Sequence, residues 1–154
     1  MTVTVRREPD IRKVRALQEA LTASLPEWFG RPDANRHYAE TAASLPAFVA
    51  EAAGGDRGLL LLKPHGTASA EIYWMAVHPD WHRRGTGAAL VAAAVAATAA
   101  ERRKLLFVCT LGPDDPNEHY RRTRLFYERQ GFFLGMTEHG GAPDALGYYV
   151  RVIE

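Results

Sequence analysis

The chain has 154 residues, 47% hydrophobic and 24% charged, which suffices for one domain with a full core and argues against a disordered chain. The 19 basic and 18 acidic residues leave a net charge of +1, so nothing in the charge balance marks a nucleic-acid or anionic-membrane surface. The lone cysteine, Cys109, excludes an intrachain disulfide and a thiolate metal cluster. The opening MTVTVRREPD has no apolar signal stretch, so a reducing cytoplasmic location is expected.

Residues 2–7 alternate, with Val3 and Val5 on one face, and predict a first strand. A helix follows from about 10 to 24, with Ile11, Val14, Leu17 and Leu21 at helical spacing, and Pro26 ends it. Residues 25–32 form a loop carrying Trp28 and Phe29, and a second helix runs from about 33 to 44. Strands are expected at 48–53 and 59–63 around a glycine turn at 54–58. After a turn at 64–67, a longer strand fills 70–77 and stops at Pro79. Residues 85–102 make an alanine-rich helix whose uncharged stretch is too short to cross a bilayer. A buried strand at 104–111, a loop at 112–117 and a helix at 118–130 closed by Gly131 come next. Strands at 132–138 and 146–153, joined by a Gly- and Pro-rich connection, complete one domain over residues 1–154. This order predicts an α/β (α+β) fold, a mixed sheet with helices on its faces.

The chemistry concentrates in residues 71–91, EIYWMAVHPDWHRRGTGAALV. A strand ends at Val77, and Gly85-Thr86-Gly87 opens a helix. Glycines at such a junction let backbone N–H groups converge, and the helix start adds orphan donors and the positive dipole end. That is a phosphate site, with Arg83 and Arg84 supplying charge beside it. Gly-x-Gly alone also fits a plain helix-capping turn. A Walker loop is disfavoured because Ala88-Ala89 follows Gly87, and a dinucleotide fingerprint because Leu90 stands where Gly or Ala is needed. His78 and His82 have zinc-like spacing, but Pro79 argues against a helix there and no third ligand lies between them, so no metal is expected.

The run of Val77-His78-Pro79, His82-Arg83-Arg84-Gly85-Thr86-Gly87, then helix, strand, helix and Phe126-Tyr127-Glu128-Arg129-Gln130-Gly131-Phe132 resembles the GNAT superfamily of N-acetyltransferases. The resemblance covers roughly residues 58–135. His82 departs from the family's Gln or Arg at that position. Tyr120 replaces an Asn that often contacts pantetheine, seven residues before the tyrosine. The resemblance implies a mostly antiparallel sheet of six to seven strands, about four helices, and a splayed central strand pair that binds acetyl-CoA. The diphosphate would sit on the amides of Arg83, Arg84, Gly85, Thr86, Gly87 and Ala88. Pantetheine would add itself like a strand along Met75, Ala76 and Val77, with Tyr120 and Phe126 nearby. The N–H of Val77 or a neighbour would stabilise the oxyanion.

The same resemblance makes Tyr127 the acid that protonates the departing thiolate and Glu71 the base, six residues before Val77. By strict alternation Glu71 shares a face with Tyr73, Met75 and Val77, and Trp74 points the other way into the core. His78 is the alternative base. Cys109 reads as a buried, inert thiol, so transfer passes straight to the amine. The family pattern places the acceptor, a small-molecule or peptide amine, around Trp28, Phe29, His37 and Tyr38, with Asp114, Asp115, Glu118 and His119 at the same mouth. Neither nucleic acid nor membrane is an expected partner, and the family's habit implies a homodimer. A CoA-binding module without turnover is the competing reading.

Overall fold

Seven strands and four α-helices follow the predicted order in the computed structural model, which describes residues 2–41, 44–138 and 146–154. β1 (Thr4–Arg7) leads to α1 (Ile11–Ser24) and α2 (Pro32–Thr41). β2 (Ala47–Ala52), β3 (Gly55–His65) and β4 (Ser69–Val77) form a meander. A 3-10 turn at Pro79–Trp81 precedes α3 (Thr86–Ala100), then β5 (Leu105–Leu111), α4 (Glu118–Arg129), β6 (Phe133–Glu138) and β7 (Leu146–Val152). The helix starts obey local chemistry. Asp10 accepts the Arg12 amide at 2.9 Å to cap α1, and Asn117 accepts the amides of His119 and Tyr120 to cap α4.

One boundary differs by several residues. The five-residue turn expected at 54–58 shrinks to Ala53 and Gly54, both left-handed with φ of 50° and 74°. Two such residues make a tight hairpin whose twist matches its strands, so residues 55–58 join β3. The helix expected to reach residue 44 is α2, ending at Thr41; residues 42 and 43, and the connection at 139–145, lie outside the described residues.

The strands lie in the order β1-β2-β3-β4-β5-β7-β6. All neighbours are antiparallel except β4 and β5, which α3 connects as a parallel pair. One face carries α3 and α4, with Leu90, Val91, Ala94 and Tyr127 packed on Leu60, Ile72, Val77 and Leu106. The other carries α1, with Val14 and Leu21 packed among Val49, Leu59, Leu61, Trp74 and Ala76. Covered on both faces, β3 is buried without alternation from Gly58 to Leu62.

The parallel pair is short. Ser69, Ala70 and Glu71 pair with Leu105, Leu106 and Phe107, and there the pairing stops. β5 stays paired with β7 along its whole length, and β4 stays paired with β3. The sheet therefore forks between Ile72–Val77 of β4 and the far half of β5. The fork coincides with a bulge: Leu61 pairs with Trp74 and Leu62 with Ile72, so Tyr73 is an extra residue in β4. A bulge bends its strand and sharpens the local twist, which turns β4 away from its neighbour.

Candidate active site

At the open end of the fork, β4 runs into the turn that starts α3. Arg83 (φ 60°) and Gly85 (φ 81°) are both left-handed, a conformation glycine adopts freely and arginine only under constraint. Gly85 caps α3 with no side-chain hydrogen bond, and the first helical bond runs from the Ala89 amide to the Gly85 carbonyl at 3.0 Å. The amides of Thr86, Gly87 and Ala88 thus project from an uncapped positive helix end. Thr86 is 1% exposed, and its hydroxyl oxygen is buried with no partner. An orphaned polar atom beside free amides fits an anion that brings its own oxygens.

The two glycines serve different needs. Gly85 supplies the positive φ, with open space where a Cβ would stand. At Gly87 a Cβ would lie 3.1 Å from the Phe126 ring, so this glycine lets α4 approach α3 closely. Arg83 and Arg84 are exposed, and the Arg84 guanidinium lies 5.2 Å from the Trp81 ring centre. His82 explains its own departure from the family signature. Its Nε2–H donates to the Val77 carbonyl at 2.8 Å and ties the loop to the end of β4.

The free edge of β4 follows from hydrogen-bond alternation. The His78 amide donates to the Arg57 carbonyl at 2.8 Å, continuing the β3–β4 ladder. In an antiparallel pair alternate residues face the partner strand, so Ala76 and Trp74 bond to β3 while Val77 and Met75 turn their backbone groups into the fork. His82 takes the Val77 carbonyl; the Val77 amide and both groups of Met75 look into the gap. Ala76 bonds to Leu59 of β3, so among the three expected pantetheine contacts it is the one whose backbone faces away from the gap.

The bulge also overturns the predicted facing of β4. Tyr73 and Trp74 both pack on the α1–α2 side, while Met75 and Val77 pack with α3 and α4. Glu71 therefore shares its face with Tyr73 and Trp74, not with Met75 and Val77. Strict alternation fails because one extra residue shifts the side-chain period by one.

The two candidate proton-transfer groups stand on opposite sides of the fork. Tyr127 is 4% exposed, with Phe126 and Phe132 edge-on at 5.2 and 5.4 Å, in the core under α3 and α4. Burial pushes its phenol well above the ordinary value. Glu71 is the last residue of β4 paired with β5, at the closed end of the fork. Its Oε1 lies 2.8 Å from His65 Nε2.

The loop between α1 and α2 spans the open end. The Trp28 ring meets His82 edge-on at 5.9 Å and His119 at 4.7 Å. Its Nε1–H donates to Thr123, and the Tyr120 hydroxyl donates to the Trp28 carbonyl at 2.8 Å. Tyr120 thus anchors the loop to α4. Phe29 stacks on Trp74 at 5.2 Å and belongs to the core on that side. His37 Nε2 lies 3.2 Å from the Tyr73 hydroxyl, and the Tyr38 ring is 5.2 Å from that of Tyr73. Of the acids at the mouth, Asp115 accepts the Asn117 amide and Glu118 pairs with Arg121. His78 accepts the Asp80 amide at 3.2 Å, which turns its Nδ1 into the loop.

Cys109, expected to be buried, is half-buried and bonded to Tyr148, a β7 residue that sequence reading missed. Burial pushes the Tyr38 phenol up, with Tyr73, Cys109 and Glu71 adding to it. Burial pushes the Cys109 thiol up, and a hydrogen bond with Tyr148 works against the rise. Tyr148 donates to Glu138 at 2.8 Å, and that bond holds its phenol far above the ordinary value. Only the strand order places Cys109 opposite Tyr148, with Tyr38 of α2 near enough to feel the thiol.

The acetyltransferase (GNAT) domain family matches residues 44–133. This chain belongs to the GNAT acetyltransferases. Acetyl transfer from acetyl-CoA is the chemistry of that domain. A GNAT-family acetyltransferase described as putative, from Desulfovibrio desulfuricans, shares the fold at TM-score 0.82 and 23% identity, over 99% of this chain and 100% of that one. The ribosomal-protein-S18-alanine N-acetyltransferase of Escherichia coli follows at 0.74 and 14%, over 99% and 94%. A GNAT acetyltransferase from Elizabethkingia anophelis, with acetyl-CoA bound, matches at 0.70 and 14%, over 97% of each chain. No curated protein matches the chain. Among the described residues of this GNAT domain, no helix is long and apolar enough to cross a membrane, and no group of three His, Cys, Asp or Glu side chains could hold a metal ion.

The GNAT site has a titration signature. Burial holds Tyr127, Tyr38 and Tyr149 neutral, and the bond to Glu138 does the same for Tyr148. Above pH ~10, tyrosinate absorbance of the folded protein is expected to lag that of the urea-unfolded chain. The stability these groups lend is complete below pH ~10 and is lost as pH rises through their folded values. Superimposable titrations of the folded and unfolded protein would contradict this.

Proposed function

We propose that this chain transfers the acetyl group of acetyl-CoA directly to an amine, in a ternary complex without a covalent enzyme intermediate. The observation that carries the reading is the free edge of β4, which leads from the uncapped start of α3 down to Glu71. The amides of Thr86, Gly87 and Ala88, with the Thr86 hydroxyl, hold the diphosphate. Arg83 and Arg84 add positive charge. The gap-facing groups of Val77 and Met75 pair with the pantetheine amides as a neighbouring strand would. The Met75 N–H, which faces the gap, meets the thioester oxygen, where it stabilises the charge that develops on attack.

Glu71 takes the proton from the incoming ammonium through water, and the amine nitrogen bonds to the acetyl carbon. As the C–S bond breaks, Tyr127 gives its proton to the sulfur, and the second proton, shed by the nitrogen as it becomes an amide, returns through water to restore the phenol. A buried phenol is a weak acid, but the same desolvation makes a buried thiolate a stronger base, so the pair stays matched. The acceptor approaches from the α1–α2 face, past His37, Tyr38 and Tyr73, while CoA enters at α3. Trp28 borders the mouth, and Phe29 supports it from the core.

The test is free-thiol release from acetyl-CoA with a polyamine, an aminoglycoside, free α-amino acids and peptides bearing an N-terminal alanine. Amine-dependent release with one of these classes is the expected result. Thermal stabilisation by acetyl-CoA with no release across the panel would favour a binding module and overturn the enzyme reading.

A further inference from the structure

His65 lies outside the GNAT signature, yet it touches the group on which proton removal depends. It is the last residue of β3, paired with Ser69 across the hairpin. Arg103 pins that hairpin from beyond α3, donating to the Gly66 carbonyl at 2.7 Å and the Ser69 carbonyl at 3.1 Å. The His65 ring rests against Phe107 of β5 at 5.2 Å, and Phe107 is the partner of Glu71 at the end of the β4–β5 pairing. The imidazole thus sits at the closed end of the fork, fixed by a hairpin on one side and an aromatic ring on the other.

Its Nε2 stands 2.8 Å from Glu71 Oε1; the two side chains are 39% and 16% exposed. The cation in register with Glu71 is engaged elsewhere. Lys63 lies directly across in β3, and its ammonium sits 5.1 Å from the Tyr73 ring centre. A glutamate carboxylate on a strand rotates about three side-chain bonds unless something holds it. One bound oxygen removes that freedom and aims the other.

We propose that His65 is a positioning residue for the acyl transfer: its Nε2–H holds Oε1 of Glu71 and presents Oε2 to the water or amine in the fork. This rests on the reading of Glu71 as the base. The imidazole keeps its proton throughout and touches neither acetyl-CoA nor the amine.

The test compares His65→Ala, His65→Gln, Glu71→Gln and the double variant His65→Ala/Glu71→Gln, with acetyl-CoA and the amine from the panel above that gives the fastest thiol release. His65→Ala is expected to lower kcat about tenfold with KM for acetyl-CoA unchanged, on the scale of a misaimed catalytic group. His65→Gln keeps an N–H donor and should recover most of the rate. In the Glu71→Gln background the loss of His65 should cost nothing further. Nitrogen NMR of the His65 ring should show a proton on Nε2 whose shift changes in Glu71→Gln. Full activity of His65→Ala beside a slow Glu71→Gln would overturn the inference alone, as would failure of His65→Gln to recover. A fully active Glu71→Gln would overturn the assignment of the base instead.

Discussion

Tyr127→Phe is expected to lower kcat about 10- to 1000-fold, the usual range for a lost general acid, with CoA affinity nearly unchanged. The substitution deletes one oxygen from a ring that is 4% exposed and packed between Phe126 and Phe132. The aromatic packing survives, so the fold offers no other route to so large a loss. The proposed diphosphate seat uses main-chain amides on the first turn of α3, which the substitution leaves in place, so binding and turnover should separate. Stopped-flow or steady-state thiol release, alongside calorimetric CoA binding, reads both quantities. A variant as fast as the parent would show that the departing sulfur gains its proton elsewhere.

Ala88→Glu is expected to weaken CoA binding about a hundredfold while leaving the melting temperature unchanged or slightly raised. Ala88 is the third residue of α3, where a glutamate can reach back to the helix start, and the dipole there favours an anion by about 0.3–1 kcal/mol. That helix end is also the proposed diphosphate seat. Two like charges ~4 Å apart near a protein surface repel by about 4 kcal/mol, and screening leaves roughly the 2.7 kcal/mol that a hundredfold requires. Gly87 is the less informative position. A Cβ there would crowd Phe126 at 3.1 Å, so any loss of binding would mix packing with charge. Tight CoA binding by a well-folded Ala88→Glu would remove the diphosphate from this corner.

The candidate site was legible wherever its parts are contiguous. The strand, turn and helix start around Arg83–Arg84–Gly85–Thr86–Gly87 carry their geometry in local dihedral needs, and glycine is needed at Gly85 whatever lies nearby. The reason for Gly87 was not legible, because the ring it accommodates belongs to α4, nearly forty residues later in the chain. Tyr120 read by position as a cofactor contact, but its hydroxyl is spent on the Trp28 carbonyl, which required knowing where the α1–α2 loop docks.

By itself the sequence determined the element order, the glycine-opened helix and the family, since periodicity, capping and turn chemistry act within a few residues. Tertiary structure alone decided the facing of β4. The bulge at Tyr73 carries no glycine or proline to announce it; it arises from how β3 and β4 register. That one unpaired residue sends Met75 and Val77 toward α3 and α4, leaves Glu71 and Tyr73 on the other face, and coincides with the fork. His65 reaches Glu71 for the same kind of reason: a hairpin closes two strands that the chain separates, and only the folded sheet brings imidazole and carboxylate within a hydrogen bond.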